Sequence, residues 1–389
     1  MTCVGQPSPP TWRSFPTLPR AYGEPPIQCR LRSRAEDFLV DEELAFAADG
    51  DGEHCLLRVR KTDANTQWVA QRLAAIAGVS SKAVGYAGLK DRHAVTTQWF
   101  SLHLGARPEP NWESRLPASI ELLESHRHRR KLRRGLLVGN RFAIRLRNVE
   151  GDLDALAQRM DQIATQGVPN YFGPQRFGRN QGNLYRADDL FRSARQDRPN
   201  QLADQPTNYQ PGHQVGHAHR QRPQVSRHLR GLWLSAARSQ LFNEVLALRV
   251  ERGDWQTALP GERLQLQGSQ SHFLAEIIDP GIRERIDSGD AQPTGPLFGT
   301  GDALTAGEVA KLESGVAARF PAWCDGLIAA GLRQERRPLR LRPMDMALSP
   351  LETGQWLLHF QLPAGSYATT ILRELTHWVD APDESRLLT

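Results

Sequence analysis

Apolar and polar positions alternate along several short runs of the chain. Phe38 and Val40 start one run just after Glu36, and Cys55, Leu57 and Val59 form another. Between them lies Ala48-Asp49-Gly50-Asp51-Gly52, so the two runs read as the strands of a hairpin. Phe100, Leu102 and Leu104 alternate with Trp99, Ser101 and His103, and residues 141–147 alternate arginine with apolar side chains. Both patterns predict half-buried strands. Trp356, Leu358, Phe360 and Leu362 repeat the alternation near the C-terminus. A helical period runs over residues 65–77, with Val69, Leu73 and Ile76 on one stripe and Gly78 closing it. It returns at Leu153, Leu156, Met160 and Ile163 up to Gly167, and in a long run through Leu234, Leu241, Val245 and Leu248 that ends near Gly253. After Pro363-Ala364-Gly365, Ser366 is placed to cap a last helix carrying Ile371, Leu375 and Trp378. Hairpin signals outnumber strand–helix–strand signals. The fold class is therefore α+β, with a mixed, largely antiparallel sheet and no internal repeat.

Two stretches lack either period. Residues 1–26 are rich in proline and read as a flexible extension. Residues 196–230 are rich in Gln, Asn, Pro and His and poor in large apolar residues, as in a low-complexity surface loop.

The 389 residues leave room for two domains, and 39% hydrophobic with 24% charged is an ordinary globular composition. No stretch approaches the roughly 20 apolar residues of a membrane span, and the N-terminus lacks the apolar core of a secretory signal. Neither a membrane nor a secreted protein is expected, and the cytoplasm is. Cys3, Cys29, Cys55 and Cys324 form no Cys-x-x-Cys pair, which argues against a zinc knuckle or a disulfide framework and suits a reducing compartment. Lysine and arginine number 49 against 43 acids, a formal +6 that tilts towards a polyanionic partner.

The glycine-rich dinucleotide fingerprint, the P-loop, His-Glu-x-x-His and Gly-x-Ser-x-Gly are all absent, which removes most of the case for nucleotide hydrolysis, dinucleotide redox chemistry and zinc proteolysis. His213, His217 and His219 cluster in the low-complexity stretch without a carboxylate or thiol framework, so solvated histidines are expected there and no metal.

Three segments are chemically dense. In Gly85-Tyr86-Ala87-Gly88-Leu89-Lys90-Asp91-Arg92-His93, glycines loosen the backbone just before Lys90 and Asp91, and a strand follows. A carboxylate on such a turn can face a cleft, as a nucleophile or general base requires; a surface turn with a paired aspartate is the alternative. The run from His126 to Arg134 packs six cations and two histidines into nine residues, and Arg141, Arg145 and Arg147 extend the charge. A phosphate backbone is the natural partner of Arg129, Arg130, Lys131, Arg133 and Arg134, with a solvated basic loop as the alternative. Residues 168–180 interleave aromatics, amides and arginines, among them Asn170, Tyr171, Phe172, Arg176 and Phe177. Such a loop can stack on RNA, or it can be a well-packed corner.

Taken together these segments resemble the TruD family of transfer-RNA pseudouridine synthases. The likeness rests on Gly88-Leu89-Lys90-Asp91-Arg92-His93-Ala94-Val95-Thr96, on Arg130-Lys131-Leu132-Arg133 through Gly139-Asn140, and on Pro169-Asn170-Tyr171-Phe172-Gly173 with Gln175-Arg176-Phe177-Gly178. Leu234-Ser235-Ala236-Ala237-Arg238 with Phe242-Asn243, Leu362-Pro363-Ala364-Gly365-Ser366 with Arg373-Glu374-Leu375, and Glu36-Asp37-Phe38 complete it, in the family's order from about residue 35 to 375.

The resemblance implies isomerisation of uridine to pseudouridine, conventionally at position 13 of tRNA, without cofactor or metal. It implies a pseudouridine-synthase catalytic domain at 27–166 and 342–389, interrupted by an α/β TruD-type insertion domain at 167–341, in a V-shaped molecule with a basic cleft. Asp91 matches the catalytic aspartate, and Phe38, Asn140 and Tyr367 match substrate-pocket positions. Lys90, Arg176 and the cations of the 129–134 run are expected on the RNA backbone. Members often carry Phe where this chain has Tyr367, and the His-rich stretch near 200–228 is longer than the family pattern. Whether the aspartate attacks C1′ or removes a ribose proton stays open. A non-catalytic RNA-binding protein and a carboxylate-dependent nucleoside glycosylase are the alternatives. Nothing demands an oligomer, and a monomer is expected.

Overall fold

The computed structural model of the chain describes residues 12–133, 135–203 and 225–380. They form two compact units, one of Tyr22–Val168 with the chain from Leu341 onwards, the other of Pro169–Arg340 with the chain before Tyr22. The first unit opens with β1 (Ile27–Leu31), β2 (Phe38–Leu44), β3 (His54–Thr62), α1 (Thr66–Ala77), β4 (Val84–Tyr86), β5 (Val95–His103), β6 (Ile120–His128), β7 (Leu137–Gly151) and α2 (Leu153–Gln166). The short β8 (Val168–Pro169) leads into the second unit. That unit holds α3 (Gly182–Ala203), α4 (Arg227–Glu251), β9 (Glu262–Leu266), β10 (His272–Ala275), α5 (Pro280–Ser288), β11 (Ala291–Leu297), α6 (Gly307–Arg319), α7 (Pro321–Ala329) and β12 (Glu335–Pro338). β13 (Arg340–Leu341) pairs with β8 and leads out, and β14 (Met344–Glu352), β15 (Gln355–Pro363), α8 (Ala368–Leu375) and β16 (Thr376–Asp380) complete the first unit.

The first unit is built on a ten-stranded mixed sheet with the path β14-β15-β7-β2-β5-β3-β6, with β1 against β7 and β16 and β4 against β5. Two expectations fail here. β2 and β3 are not a hairpin, because β5 lies between them, parallel to β2 and antiparallel to β3. Alternation marks a strand but not its neighbour, and either pairing satisfies it. Trp378 is not on the last helix: α8 stops at Leu375 and Trp378 sits on β16, parallel to β1 and opposite Cys29. Nor does Ser366 cap α8; Tyr367 holds the N-cap position, and its carbonyl accepts from Thr370 Oγ1 at 2.6 Å.

Two apolar clusters stabilise this unit. One joins Phe38, Val40, Phe142, Ile144 and Phe360 to the inner faces of α2 and α8. The other joins Cys55, Leu57, Val59, Phe100 and Leu102 to Val69 and Leu73 of α1. Each such large side chain, fully buried, contributes about 1.5–3 kcal/mol. Between the clusters the inward stripes turn polar. Glu42 continues the parity of Phe38 and Val40, and Lys61 that of Cys55, Leu57 and Val59. Thr96 and Gln98 precede Phe100 and Leu102 in the same way, and Asn140 precedes Phe142. All five are buried. Register ties them together, with Glu42 opposite Asn140 and Lys61 opposite Thr96. Burying such groups is costly unless they are bonded, so this polar seam needs partners.

The second unit carries a four-stranded sheet, β10-β9-β11-β12, and the buried helix α4. Of the flexible extension expected at 1–26, residues 1–11 lie outside the described residues, and the part from Trp12 onwards is a correction. Trp12, Phe15 and Leu18 are buried, Trp12 Nε1 donates to Gln181 at 2.9 Å, and Arg13 pairs with the fully buried Glu244 at 3.1 Å. Prolines removed the period there, yet isolated aromatics still found a core. Both flanks of the loop expected at 196–230 are helical instead: α3 reaches Ala203, and α4 starts at Arg227 with the Ser226 hydroxyl capping Leu229 N. Residues 204–224, including His213, His217 and His219, lie outside the described residues. No described helix is long and apolar enough to cross a membrane.

Candidate active site

Loop 87–94, between β4 and β5, rests on the polar seam. The Asn65 side chain caps α1 by accepting from Gln67 N at 2.9 Å, which sets Thr66 at the start of the helix. The Thr66 hydroxyl accepts from Lys90 N at 3.0 Å and donates to Gln98 Oε1 at 3.1 Å. Gln98 Nε2 in turn donates to the Gly88 carbonyl at 2.5 Å. Lys61, fully buried, donates from Nζ to the Asp91 carbonyl at 2.8 Å. The Lys90 ammonium lies 3.0 Å from Glu42 Oε1 and bonds Asn140 Oδ1, while Glu42 Oε2 accepts from Trp99 N at 2.8 Å. Side chains from β3, α1 and β5 thus hold the main chain at Asp91 and just before it, and those from β2 and β7 hold the Lys90 side chain, while Asp91 is itself half-buried. Burial pushes the Lys61 ammonium down to about 8; Asp91 and Asp63 pull against that shift and Lys90 adds to it.

Gly139 lies where a Cβ would meet the Leu362 carbonyl at 2.5 Å, so only glycine lets β7 and β15 close up beside Asn140. β15 then turns into α8, which brings the half-buried Tyr367 to the end of β15 that pairs with Gly139 and Asn140. Phe38 departs from the expected pocket wall. It is 1% exposed, edge-on to Phe142 at 6.2 Å, with the Arg32 guanidinium 4.4 Å over its ring.

A family model described as tRNA pseudouridine synthase D (TruD) matches residues 19–192 and 192–375. The tRNA pseudouridine synthase D of Nitrosococcus oceani is 45% identical over 95% of this chain and 96% of its own length. That of Methylococcus capsulatus is 43% identical over 95% and 97%. A crystal structure from Methanosarcina mazei, of a chain assigned to tRNA pseudouridine synthase D, shares the fold with a TM-score of 0.68 at 23% identity, over 92% of this chain and 95% of that one.

The chain belongs to the TruD family.

As a TruD-family member it is an isomerase, and the loop that carries the resemblance is the one fixed on the seam. The structure corrects several binding expectations. Lys90 is not on an RNA-facing surface, because its side chain is 6% exposed and paired with Glu42. Arg129 makes two bonds to Asp51, at 2.9 and 3.0 Å, and Lys131 Nζ donates to the Lys82 carbonyl at 2.5 Å. Arg130 and Arg133 are exposed, and Arg134 lies outside the described residues. The arginines read as extending this charge have carboxylate partners of their own: Arg141 meets Glu43 at 2.5 Å, Arg147 meets Asp37 at 2.7 Å, and Arg145 lies 3.9 Å from Asp37. In the second unit Tyr171, Phe172 and Phe177 are buried, so the packed-corner reading holds for them. Asn243 brackets Phe172 by accepting from its N–H at 2.9 Å and donating to its carbonyl at 3.1 Å. Arg176, expected on the RNA, belongs to that unit and donates to Ser235 Oγ at 3.0 Å.

Sequence reading missed Glu42, Lys61, Thr66 and Gln98. A signal for three of them exists: each of Glu42, Lys61 and Gln98 is a polar residue at the inward parity of an apolar strand. Thr66 carries no such mark.

Proposed function

We propose that Asp91 is the carboxylate that acts on the ribose of a flipped uridine, and that the uridine is position 13 of tRNA. Isomerisation of uridine to pseudouridine in tRNA comes with membership of the family; the position and the residue roles go beyond it. The observation that carries the reading is the anchorage of loop 87–94, which holds the peptides around one half-buried carboxylate from several elements. A group that must meet C1′ or a ribose proton needs that order of positional control, since about 1 Å of misplacement can cost 10²-fold in rate. The C1′–N1 bond breaks, uracil turns, C5 bonds to C1′, and the proton lost from C5 is balanced by the one gained at N1. The base must leave its stack first, at a cost of a few kcal/mol that stacking and edge hydrogen bonds offset. Asn140 and Tyr367 are the groups for that, and Phe38 supports the pocket from the core. Exposed Arg130 and Arg133 carry the backbone contacts.

The test is unmodified tRNA incubated with the wild-type protein and with Asp91→Asn. Carbodiimide labelling is expected to find a new pseudouridine at position 13 with the wild type and none with the variant, at tRNA affinities within a few-fold. Free uracil would mean a glycosylase, neither product an RNA-binding protein, and pseudouridine formed by the Asn variant would remove Asp91 from the chemistry.

A further inference from the structure

We infer that Lys61 is a positioning residue for the reaction: its buried ammonium, bonded to the main-chain carbonyl of Asp91, fixes the peptide that carries the carboxylate and sets a positive charge beside it. The inference rests on the reading of Asp91 above. Lys61 is fully buried at the end of the apolar stripe Cys55-Leu57-Val59, where another apolar residue would pack better. Its Nζ lies 2.8 Å from the Asp91 carbonyl. The groups around it come from every neighbouring element. Asp91 and Lys90 face it from the loop, and Lys90 is itself held by Glu42 of β2 and Asn140 of β7. Asp63 follows at the end of its own strand with His93 3.5 Å away, and Thr96 stands opposite on β5. Only Asp91 among these receives a bond from Lys61 at its main chain. A lysine kept for folding alone would be expected to pair with a carboxylate or to reach water; this one is spent on the backbone of the aspartate.

Burial opposes this arrangement. The folded chain holds the Lys61 proton less tightly than the unfolded chain does, so Lys61 costs stability below pH about 8, and the cost fades as pH rises towards the ordinary lysine range. Function and stability therefore move in opposite directions. Lys61→Met, which is one atom shorter and loses the charge, is expected to melt at or above the wild type at pH 7 and to bind tRNA within a few-fold. Its single-turnover rate should fall on the order of 10–100-fold. In the wild type the rate should also decline above pH about 8 as the ammonium loses its proton; Lys61→Met should lack that decline. Titration of the uridine itself is common to both proteins and cancels in the comparison. Lys61→Arg keeps a permanent charge and should lack the decline too.

The experiment measures single-turnover rates from pH 6 to 9 for wild type, Lys61→Met, Lys61→Arg and Asp91→Asn, with a thermal melt of each. A folded Lys61→Met with the wild-type rate and pH profile overturns the inference. So does a variant that melts lower than the wild type and keeps the alkaline decline, because that is the signature of a structural lysine. An active Asp91→Asn would instead sink the catalytic reading on which the inference rests.

Discussion

The loop around Asp91 and the basic run after β6 are both polar, both glycine-flanked and both dense in cations, yet the structure treats them differently. At the loop, side chains of three other elements bond the main chain itself: Lys61 on Asp91, Thr66 on Lys90 and Gln98 on Gly88. At the basic run, Arg129 and Lys131 are satisfied by the neighbouring turns at Asp51 and Lys82, Leu132 is anchored through Ser101 Oγ at 2.8 Å, and Arg130 and Arg133 face solvent. Placing a reacting group calls for buried, directional bonds whose partners cannot drift. Holding a polyanion calls for charge on side chains that can follow it, because phosphate contacts tolerate ångström-scale adjustment.

That contrast breaks first at Gln98. In Gln98→Leu the Gly88 carbonyl and the Thr66 hydroxyl lose their shared partner, at a cost of about 1–3 kcal/mol. The melting temperature should drop by several degrees, and the rate by on the order of 10²-fold, with tRNA affinity little changed. A variant that turns over normally would show that the loop is fixed without this bond. The margin of the fixed region is Tyr367. If its ring stacks on the flipped base, Tyr367→Ala should lose ~10–100-fold in single-turnover rate while Tyr367→Phe stays active. A dead Phe variant would assign the hydroxyl to proton transfer, and an active Ala variant would take the residue out of the site. The smallest effect is expected from the basic run. Arg130→Ala and Arg133→Ala should each reduce the salt slope of log K by about 0.7–0.9, and Arg129→Ala by less, because Asp51 already occupies it. Equal slopes for all three would mean that the Asp51 pair opens on binding and that the run acts as one surface.

The same division separates what could be read from the sequence from what could not. Asp91, Lys90 and Asn140 stood out because they fall in compact, unusual strings. Lys90 reads as an RNA-backbone cation and is instead paired inside the fold, since a cation beside an aspartate looks the same whether it meets a phosphate or the buried Glu42. The strands and helices were legible from period. Their neighbours were not, and the insertion of β5 between β2 and β3 decides which residues lie under the loop. Glu42, Lys61 and Gln98 looked like ordinary polar residues until the pairing was known. Their parity with Val40, Val59 and Phe100 was in the sequence, but parity has meaning only once it is known which face is inward.

The crossings at Val168–Pro169 and Arg340–Leu341 have a consequence for synthesis of the chain. β7 is made early, but β15, its partner from Gln355↔Arg147 to Pro363↔Gly139, comes only after the whole second unit. At about 5–20 residues per second the ribosome takes on the order of ten seconds or more to cover that interval. Meanwhile the second unit, which needs only the chain before Tyr22 and Pro169–Arg340, can already be complete. The unit that bears Asp91 waits with an open strand edge on β7 and without α8. A chain truncated near residue 340 and released should therefore be folded in its second unit and exposed in its first, a state in which an unpaired edge invites aggregation or a chaperone.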